Sequence, residues 1–397
     1  MHLPRHVVSC AAIVWIGMCA PVVAQRTWTV DPGGNGDFKT VTAAIAAADS
    51  GDRILVGPGT YSEQPIITKS LVLLGYQASI EGFVVRGIAR DGRVLLSGFH
   101  VVTGNRILLE NNTGHVALSG CTAISFLWDA FRVPAVDVRN SIHVTMHGCT
   151  FSGTGIVVGN SELAIAQSRI SGVDGAWSLL GSIQSEPGLR ATSSHVVLAS
   201  VDVTGGSAAG FKVEQPSPAL DCRASVVIVA APSSLIAGRT SSSPLVFFAP
   251  AVQCDAATKL YADPTVRAVA SDISIPVVLG TTPILLAIPS TAGVVTRDAN
   301  REFVIDTVVY ARTGWVSALL IGLPGPRQLI DPIGDLWLDP TNPIVLVDVG
   351  PTDNDGRRAV RMRLPSSLPD GSLVGLQSLL FDQANLWLST PLVVVLR

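Results

Sequence analysis

Two groups of residues in the sequence could do chemistry. The first comprises three histidines and one glutamate, each immediately before a short apolar segment: His115, His143, Glu162 and His195. Imidazole and carboxylate groups bind zinc and similar ions, so these residues are candidate metal ligands if their segments stack. His147 is near enough to join them. The alternative, which the pattern favours, is a solvent-facing ladder at strand starts, in which neighbouring imidazoles suppress one another's protonation.

The second group consists of charged and aromatic residues in the longer segments between the apolar ones. Loops from one side of a fold can build the wall of a groove. An aromatic ring with nearby charges suits sugar binding, and a lyase would need an arginine or lysine base with calcium held by carboxylates. The candidates are Asp129, Arg132, Asp137 and Asp174 for catalysis, and Trp128, Trp177 and Lys212 for ligand binding. The alternative, favoured by the absence of a recognisable catalytic pattern, is that they are ordinary loop residues.

An internal repeat positions these candidates. Five segments align, at residues 94–104, 116–126, 144–154, 163–173 and 196–206, with spacings of 19 to 33 residues. Each segment has four positions that we expect to point inward, the first of which holds Val94, Val116, Val144, Leu163 and Val196. A unit of this size buries little by itself and needs stacked neighbours. The repeat predicts a solenoid of short parallel strands with insertions in its loops.

The outward positions of these segments are mostly small. They include Ala117, Ser119, Ala164, Ala166 and Ala199. Because a flat apolar face is rarely left bare, we expect it to seat a loop or the C-terminal domain, or to form the floor of a ligand groove.

Four cysteines remain once a cleaved leader is set aside. Cys121 and Cys149 share one inward column of the repeat, and Cys222 and Cys254 form a second possible pair. None belongs to a CxxC motif, so a zinc site is not expected. Whether the pairs are thiols or disulfides stays open at this stage.

Composition and the first residues indicate an exported protein. Residues 1–24 have a weakly basic start, an apolar stretch and a small-residue cleavage site, which is typical of a signal peptide. No later segment is long and apolar enough to span a bilayer. The formal net charge of the 397 residues is −3, without basic runs, so nucleic acid is not an expected partner. We expect a monomer that is secreted or held at the cell surface.

The pattern changes along the chain and predicts two domains in an all-β protein. Residues 40–48 suit a short helix that caps the open end of the solenoid. We expect a right-handed, single-stranded parallel β-helix over residues 25–270. Near residue 280 the strands lengthen, and Val360 and Met362 alternate with arginines, as in an antiparallel sheet with one wet face. We expect residues 280–397 to form a small β-sandwich-like domain.

Two segments resemble known families. The segment DFKTVTAAI that begins at residue 37, the turn GPGTY and the strand SLVLLGY at residues 70–76 resemble the opening of pectinesterases and other pectin-lyase-fold proteins. The resemblance implies a parallel β-helix. The catalytic pattern of pectinesterases, two Asp with Arg and Gln, is not found. The last 60 or so residues resemble a C-terminal module of secreted bacterial proteins, which implies a surface or sorting role.

These observations predict a non-catalytic β-helix protein that binds carbohydrate, such as a polysaccharide or cell-surface glycan, or forms part of the cell surface. The alternative is a carbohydrate-active enzyme, a lyase or esterase, on acidic polysaccharide. That alternative requires Asp129, Arg132, Asp137 and Asp174 to converge on one groove. Calcium is an expected cofactor only for a lyase. A third possibility is a pure scaffold or adhesin.

Overall fold

The regular secondary structure of the described residues is almost entirely β-strand. The computed structural model describes residues 25–102, 105–125, 133–178, 181–208, 215–240, 248–331, 334–382 and 385–397. The expected signal peptide, residues 1–24, lies outside these ranges. None of the described helical structure has the length and hydrophobicity required to cross a membrane.

The first part of the chain contains one α-helix, α1 (Val41–Ala47), and short strands that we number in chain order. These strands are β1 (Thr27–Val30), β2 (Arg53–Val56), β3 (Gly59–Tyr61), β4 (Ile66–Ile67), β5 (Leu71–Ile80), β6 (Phe83–Arg86), β7 (Arg93–Val102), β8 (Ile107–Glu110), β9 (His115–Ser119), β10 (Thr122–Ile124), β11 (Val136–Arg139), β12 (Val144–His147), β13 (Thr150–Ser152), β14 (Ile156–Gly159), β15 (Glu162–Ala166), β16 (Arg169–Ser171), β17 (Ala176–Ser178), β18 (Gly181–Ile183), β19 (Leu189–Thr192), β20 (His195–Ala199), β21 (Asp202–Thr204), β22 (Leu220–Arg223), β23 (Val226–Ala230), β24 (Ser234–Ile236), β25 (Val252–Cys254), β26 (Lys259–Ala262), β27 (Arg267–Val269), β28 (Val278–Leu279) and β29 (Ile284–Leu285).

The second part contains longer strands. They are β30 (Ser290–Arg297), β31 (Phe303–Tyr310), β32 (Val316–Gly322), β33 (Pro324–Ile330), β34 (Gly334–Leu338), β35 (Val345–Pro351), β36 (Arg357–Leu364), β37 (Leu373–Phe381), β38 (Leu386–Leu388) and β39 (Leu392–Val395).

The first part is a parallel β-helix, as predicted. A typical coil contributes one strand to a 9-stranded parallel sheet and then two strands to a larger parallel sheet. The predicted repeat matches the register, because Val144 pairs with Val116 on one side and with Leu163 on the other. All three of these side chains are fully buried in the core inside the coils. Each strand obtains its backbone hydrogen bonds from neighbouring coils, so no coil is stable alone.

Helix α1 closes the N-terminal end of the solenoid. Its N-cap, Thr40, accepts a hydrogen bond from the backbone N–H of Ala43 at 3.3 Å. The Glu63 carboxylate accepts two more from the free N–H groups of Val41 and Thr42, at 2.7 and 2.9 Å. A carboxylate at this end also complements the helix dipole. The buried face of α1, with Ile45, packs into the solenoid core.

An asparagine ladder stabilises the turn between the 9-stranded sheet and the next strand. Asn140 and Asn160 have left-handed φ angles of 48°, and each donates from its amide to the preceding rung, which continues to Asn111. Asn112, the next residue, is not part of the ladder, because its side chain is buried and donates to the Val85 carbonyl at 3.1 Å.

The C-terminal part is antiparallel, also as predicted. Strands β30, β31 and β36 form one sheet, and β35, β32, β37 and β38 form a second, with β39 paired to β37. Phe303, Leu376 and Val394 belong to the core between them. Val360 and Met362 are buried and Arg361 is exposed, which matches the predicted alternation.

The solenoid continues past residue 270, where the sequence suggested its end. Strands β28 and β29 still pair in parallel with β25 and β26, and the antiparallel strands begin at Ser290. Proline and glycine between these last strands hide their pattern, because they shorten each strand to two residues.

The C-terminal domain packs on the side of the solenoid, on the outer face of β5, β7, β9, β12, β15, β20 and β23. We call this the covered face. Val395 packs with Leu95 and Ala117 at one end of the contact, Trp337 lies over Ala164 in the middle, and Ile288 packs at the other end. The expectation that the small outward residues seat the C-terminal domain is confirmed.

Candidate functional site

The predicted metal ligands lie under the C-terminal domain. His115 and His143 stack with ring centroids 4.0 Å apart and an angle of 14° between planes. Only 2% of His115 and 3% of His143 is exposed. They do not form the solvent-facing ladder that the sequence favoured, because Trp337 and its neighbours cover them. Their outward direction was correct, but the covering residues come from nearly 200 positions later.

The other two candidates pair with charges of the C-terminal domain. His195 Nε2 lies 3.3 Å from an Asp335 oxygen, and Glu162 accepts a hydrogen bond from Arg327 at 3.1 Å. Arg327 also binds Asp335, at 3.1 Å. Although burial alone would raise the pKa of Asp335, its partners His195 and Arg327 lower it. Within the described part of the chain, no three histidine, cysteine or acidic side chains are grouped so that they could hold a metal ion. His115, His143, Glu162 and His195 thus lie at the contact between the solenoid and the C-terminal domain.

Burial keeps the stacked histidines neutral. It lowers the pKa of His143 from 6.5 to about 3, with a further lowering by Arg93 that the Asp339 carboxylate opposes. It also holds the pKa of His115 well below its usual value, and the charges of His143 and Arg93 add to that effect. His115 Nε2 lies 2.7 Å from the Thr145 hydroxyl, whereas His143 Nε2 has no hydrogen-bond partner.

Asp137 belongs to an ion-pair network on the outer face of the 9-stranded sheet. Its side chain is 1% exposed and lies 3.0 Å from Arg106, and its two oxygens accept hydrogen bonds from Arg139 at 2.9 and 2.5 Å. The same face carries Arg190 bound to Asp221 at 3.3 Å. Since these charges neutralise one another, Asp137 is not a free base, and the described residues show no contact between it and Asp174.

Among the described residues, a further face of the solenoid is polar and exposed to solvent. It is the outer side of β10, β13, β16, β21 and β24, which we call the open face. Two columns of outward residues run along it. One column holds Thr122, Thr150, Arg169, Asp202 and Ser234, and the other holds Ile124, Ser152, Ser171, Thr204 and Ile236. In each strand, an apolar residue lies between the two outward residues and points into the core, as Phe151 and Ile170 do. This alternation is typical of a β-strand with one buried face.

A groove of about 600 Å³ follows one edge of the open face. Its lining combines glycines and the apolar residues Val173, Ile236 and Ala237 with polar ones, which are Ser152, Ser171, Asp174, Thr204, Ser207 and Arg239. Asp174 accepts a hydrogen bond from the Ser207 backbone N–H at 2.7 Å, which fixes the carboxylate beside the groove. Hydroxyl, carboxylate and guanidinium groups can donate to and accept from a polyhydroxylated ligand.

A smaller groove of about 430 Å³ lies at the other edge, next to the C-terminal domain. Arg169 and Asp202 line it and lie 3.7 Å apart. The two grooves flank the same strands, so the open face and its edges form one strip parallel to the solenoid axis, with Ile124 and Ile236 at the two ends of its otherwise polar second column. Among the described residues of this strip, none forms a nucleophile and general-base pair.

The structure places few of the predicted site residues together. Asp174 lines the larger groove, and a catalytic role for it stays a prediction. The backbone of Trp177 lies in the β17–β18 hairpin, and its side chain is outside the described part. Trp128, Asp129, Arg132 and Lys212 also lie outside the described residues. Arg169, Asp202 and Arg239 were not predicted as site residues, although Arg169 and Asp202 directly precede the inward-pointing Ile170 and Val203.

Comparisons with known proteins add little to this geometry. No family model matches the chain, and no curated protein sequence matches it. Among solved structures, the chain is similar to the pectin methylesterase of Aspergillus niger, with 14% identity, a TM-score of 0.31 and coverage of 66% of this chain and 85% of the other. It is also similar to the pectin methylesterase of carrot, with 12% identity, a TM-score of 0.28 and coverage of 63% of this chain and 77% of the other. A tailspike protein of an Escherichia coli O157:H7 bacteriophage shares 8% identity, with a TM-score of 0.35 and coverage of 94% of this chain and 64% of the other. Values this low do not support a transfer of activity.

Proposed function

We propose that the protein is an exported, non-catalytic β-helix protein whose open face binds a polysaccharide or cell-surface glycan. The observation that carries the proposal is the largely polar strip along the solenoid, with its groove of about 600 Å³. The covered face is occupied by the C-terminal domain, and the outer face of the 9-stranded sheet is neutralised by internal ion pairs. The open face carries hydroxyl groups and the Arg169–Asp202 pair, whose side chains stay 72% and 56% exposed at a separation of 3.7 Å.

The geometry of stacked coils suits a linear ligand. Neighbouring parallel strands are about 4.8 Å apart, so the same outward position recurs at that interval along the axis. A glycan chain that lies along the strip can meet a hydroxyl or charged group at each coil, as at Ser171 and Thr204. Individually weak hydrogen bonds would then add up without a deep pocket. Because Arg169 and Arg239 accompany Asp174 and Asp202, the strip can bind both hydroxyl and carboxylate groups of a sugar.

The rest of the proposal follows from the sequence. Residues 1–24 would be removed on export, and the protein would act as a monomer outside the cytoplasm or at the cell surface. The C-terminal domain would attach or sort the protein. Nucleic acid is not proposed as a partner, because the net charge is −3.

The test is a binding measurement with a panel of polysaccharides. The chain from residue 25 would be titrated with pectin, alginate and a neutral glucan, with and without calcium, and binding followed by calorimetry. Arg169→Ala and Arg239→Ala each remove a charged donor from the strip. We expect each to weaken binding roughly three- to tenfold, which is the usual value of one such hydrogen bond.

The control is Arg223→Ala, on the outer face of the 9-stranded sheet. The Arg223 side chain is 66% exposed and that of Arg169 is 72% exposed, so the two variants remove similar surface from different faces. Equal losses in both variants, or no binding to any polymer, would contradict the proposal. Release of shorter chains, unsaturated sugars or methanol from the polymers would overturn the non-catalytic part of it.

A further inference from the structure

We propose that Cys222 and Cys254 form an inter-coil disulfide that fastens the C-terminal end of the solenoid. The four cysteines described are free thiols in the structure. Cys222 and Cys254 lie in β22 and β25, neighbouring parallel strands of the 9-stranded sheet, and they are register partners. Both side chains therefore point into the core at the same level.

The register brings the two residues into disulfide range. Parallel strands lie about 4.8 Å apart, and the Cα atoms of disulfide-bonded cysteines are usually about 4.4 to 6.8 Å apart. The two thiols interact directly: the Cys222 thiol donates to Cys254, which lowers the pKa of Cys254 and raises that of Cys222. Cys254 is also the nearer to solvent, with 8% exposure against 0% for Cys222.

Cys121 and Cys149 provide an internal comparison. They also stand in neighbouring coils and interact with each other, but they are only 1% and 2% exposed. The Cys121 thiol donates to the Leu96 carbonyl at 3.4 Å, and the Cys149 thiol to the His147 carbonyl at 3.4 Å. Cys149 borders the smaller groove but is less exposed than Cys254, so an oxidant has less access to this pair while the fold is intact. The two pairs therefore differ in accessibility rather than in stacking.

The reaction needs an organic disulfide as oxidant. The Cys254 thiolate attacks one sulfur of that disulfide, which forms a mixed disulfide and releases one thiolate. Cys222 then loses its proton and attacks Cys254 Sγ, which forms the Cys222–Cys254 bond and releases the second thiolate. Two electrons pass from the protein thiols to the oxidant, and the two protons accompany the two released thiolates.

The location gives the bond a structural role. Beyond β25, the last strand of the 9-stranded sheet is β28, which pairs with β25 at only two positions. Leu279, Ile284 and Leu285 at this end are between 47% and 64% exposed. Helix α1 caps the other end of the solenoid, whereas this end is bounded by short strands. A covalent link between β22 and β25 would hold the strand on which the last coil pairs.

The test uses the reduced full-length chain and oxidised glutathione. After incubation at neutral pH, free thiols are alkylated under native conditions, and non-reduced peptides are analysed by mass spectrometry. We expect a peptide that links Cys222 to Cys254 and a gain in melting temperature of roughly 5 °C or more that reductant reverses. Cys121 and Cys149 should react with the alkylating agent only after denaturation.

Two variants make the result decisive. Cys222→Ser should leave Cys254 as a stable mixed disulfide with glutathione, without the gain in melting temperature. Cys149→Ser should still form the Cys222–Cys254 bond. Recovery of both cysteines as free thiols, or a mixed disulfide on Cys254 in the unmutated chain, would overturn the proposal. Equal oxidation of the two pairs would also overturn it, because the proposal rests on their different accessibility.

Discussion

Mild acid should destabilise the contact between the two domains through the stacked histidines. A histidine with a pKa of 6.5 when unfolded and about 3 when folded binds a proton more readily in the unfolded chain. Stability is therefore full above the unfolded pKa and decreases as the pH falls below it toward the folded pKa. His143 follows this rule, and His115, whose pKa is also lowered well below 6.5, follows it too.

Between pH 6.5 and the folded pKa of about 3, the loss of stability depends only on how far the pH lies below the unfolded pKa. Each pH unit below 6.5 costs about 1.4 kcal/mol at His143, so at about pH 5 this residue contributes a loss of about 2 kcal/mol. His115, whose pKa is also lowered, adds a loss of the same sign. A loss of about 2 kcal/mol is already a substantial part of the usual stability of a domain. The charged groups that act on them are Arg93 from the solenoid and Asp339 from the C-terminal domain. The pKa of the Asp339 carboxyl is lowered from 3.8, so this group stays ionised throughout the window.

The assay is urea unfolding followed by circular dichroism at about pH 7.5 and about pH 5. His143→Gln cannot be protonated, so it should reduce the difference in unfolding free energy between the two pH values by about 2 kcal/mol. The matched control is His100→Gln, which changes an exposed histidine of the same solenoid. If His143→Gln keeps the full loss at acid pH, or His100→Gln reduces it as much, the buried pair is not the cause.

Three further predictions concern the supports of the fold. Glu63→Ala should lower the free energy of unfolding by about 1 to 2 kcal/mol, because two N–H groups of α1 lose their hydrogen-bond acceptor. The control Lys39→Ala, at an exposed position nearby, should leave the free energy of unfolding unchanged. Trp337→Ala should cost about 3 to 5 kcal/mol and make the connection between the domains sensitive to protease, while Trp337→Phe should retain most of the packing. Asp137→Ala should lower the free energy of unfolding by about 1 to 3 kcal/mol, because it leaves two arginines unpaired, and should not weaken glycan binding. Asp202→Asn should weaken glycan binding and leave the free energy of unfolding unchanged. Chemical denaturation measures the stability of both variants, and calorimetry measures their binding.

The repeat and the fold class could be predicted because they depend on local pattern. Val116, Val144 and Leu163 recur at equivalent positions in a parallel stack, where the period of two fixes which side chains point inward. The domain change was visible for the same reason, since Val360 and Met362 alternate with arginines. The end of the solenoid was missed because β28 and β29 have two residues each, too few to show any period.

The candidate site was harder to predict because it depends on contacts between distant segments. The direction of His115 and His143 could be inferred, but Trp337 and Asp335, which cover that face, lie in another domain. Asp137 looked like a free acid because its partner Arg106 lies in the preceding coil, at a spacing that insertions make irregular. Arg169 and Asp202 occupy ordinary outward positions, and only the stacking of coils turns them into a strip.

The seat of the C-terminal domain limits how the chain can evolve. Arg397 donates to Ser97 near one end of the covered face, and Ser290 donates to the Ala231 carbonyl near the other. Duplication of a coil between these points would displace one anchor by about 4.8 Å relative to the other. Solenoids commonly gain and lose coils, but here the C-terminal domain contacts the solenoid at two points, and the distance between them must stay constant. Variation in length among related chains should therefore be confined to the coils before β5 and after β23, or to the loops.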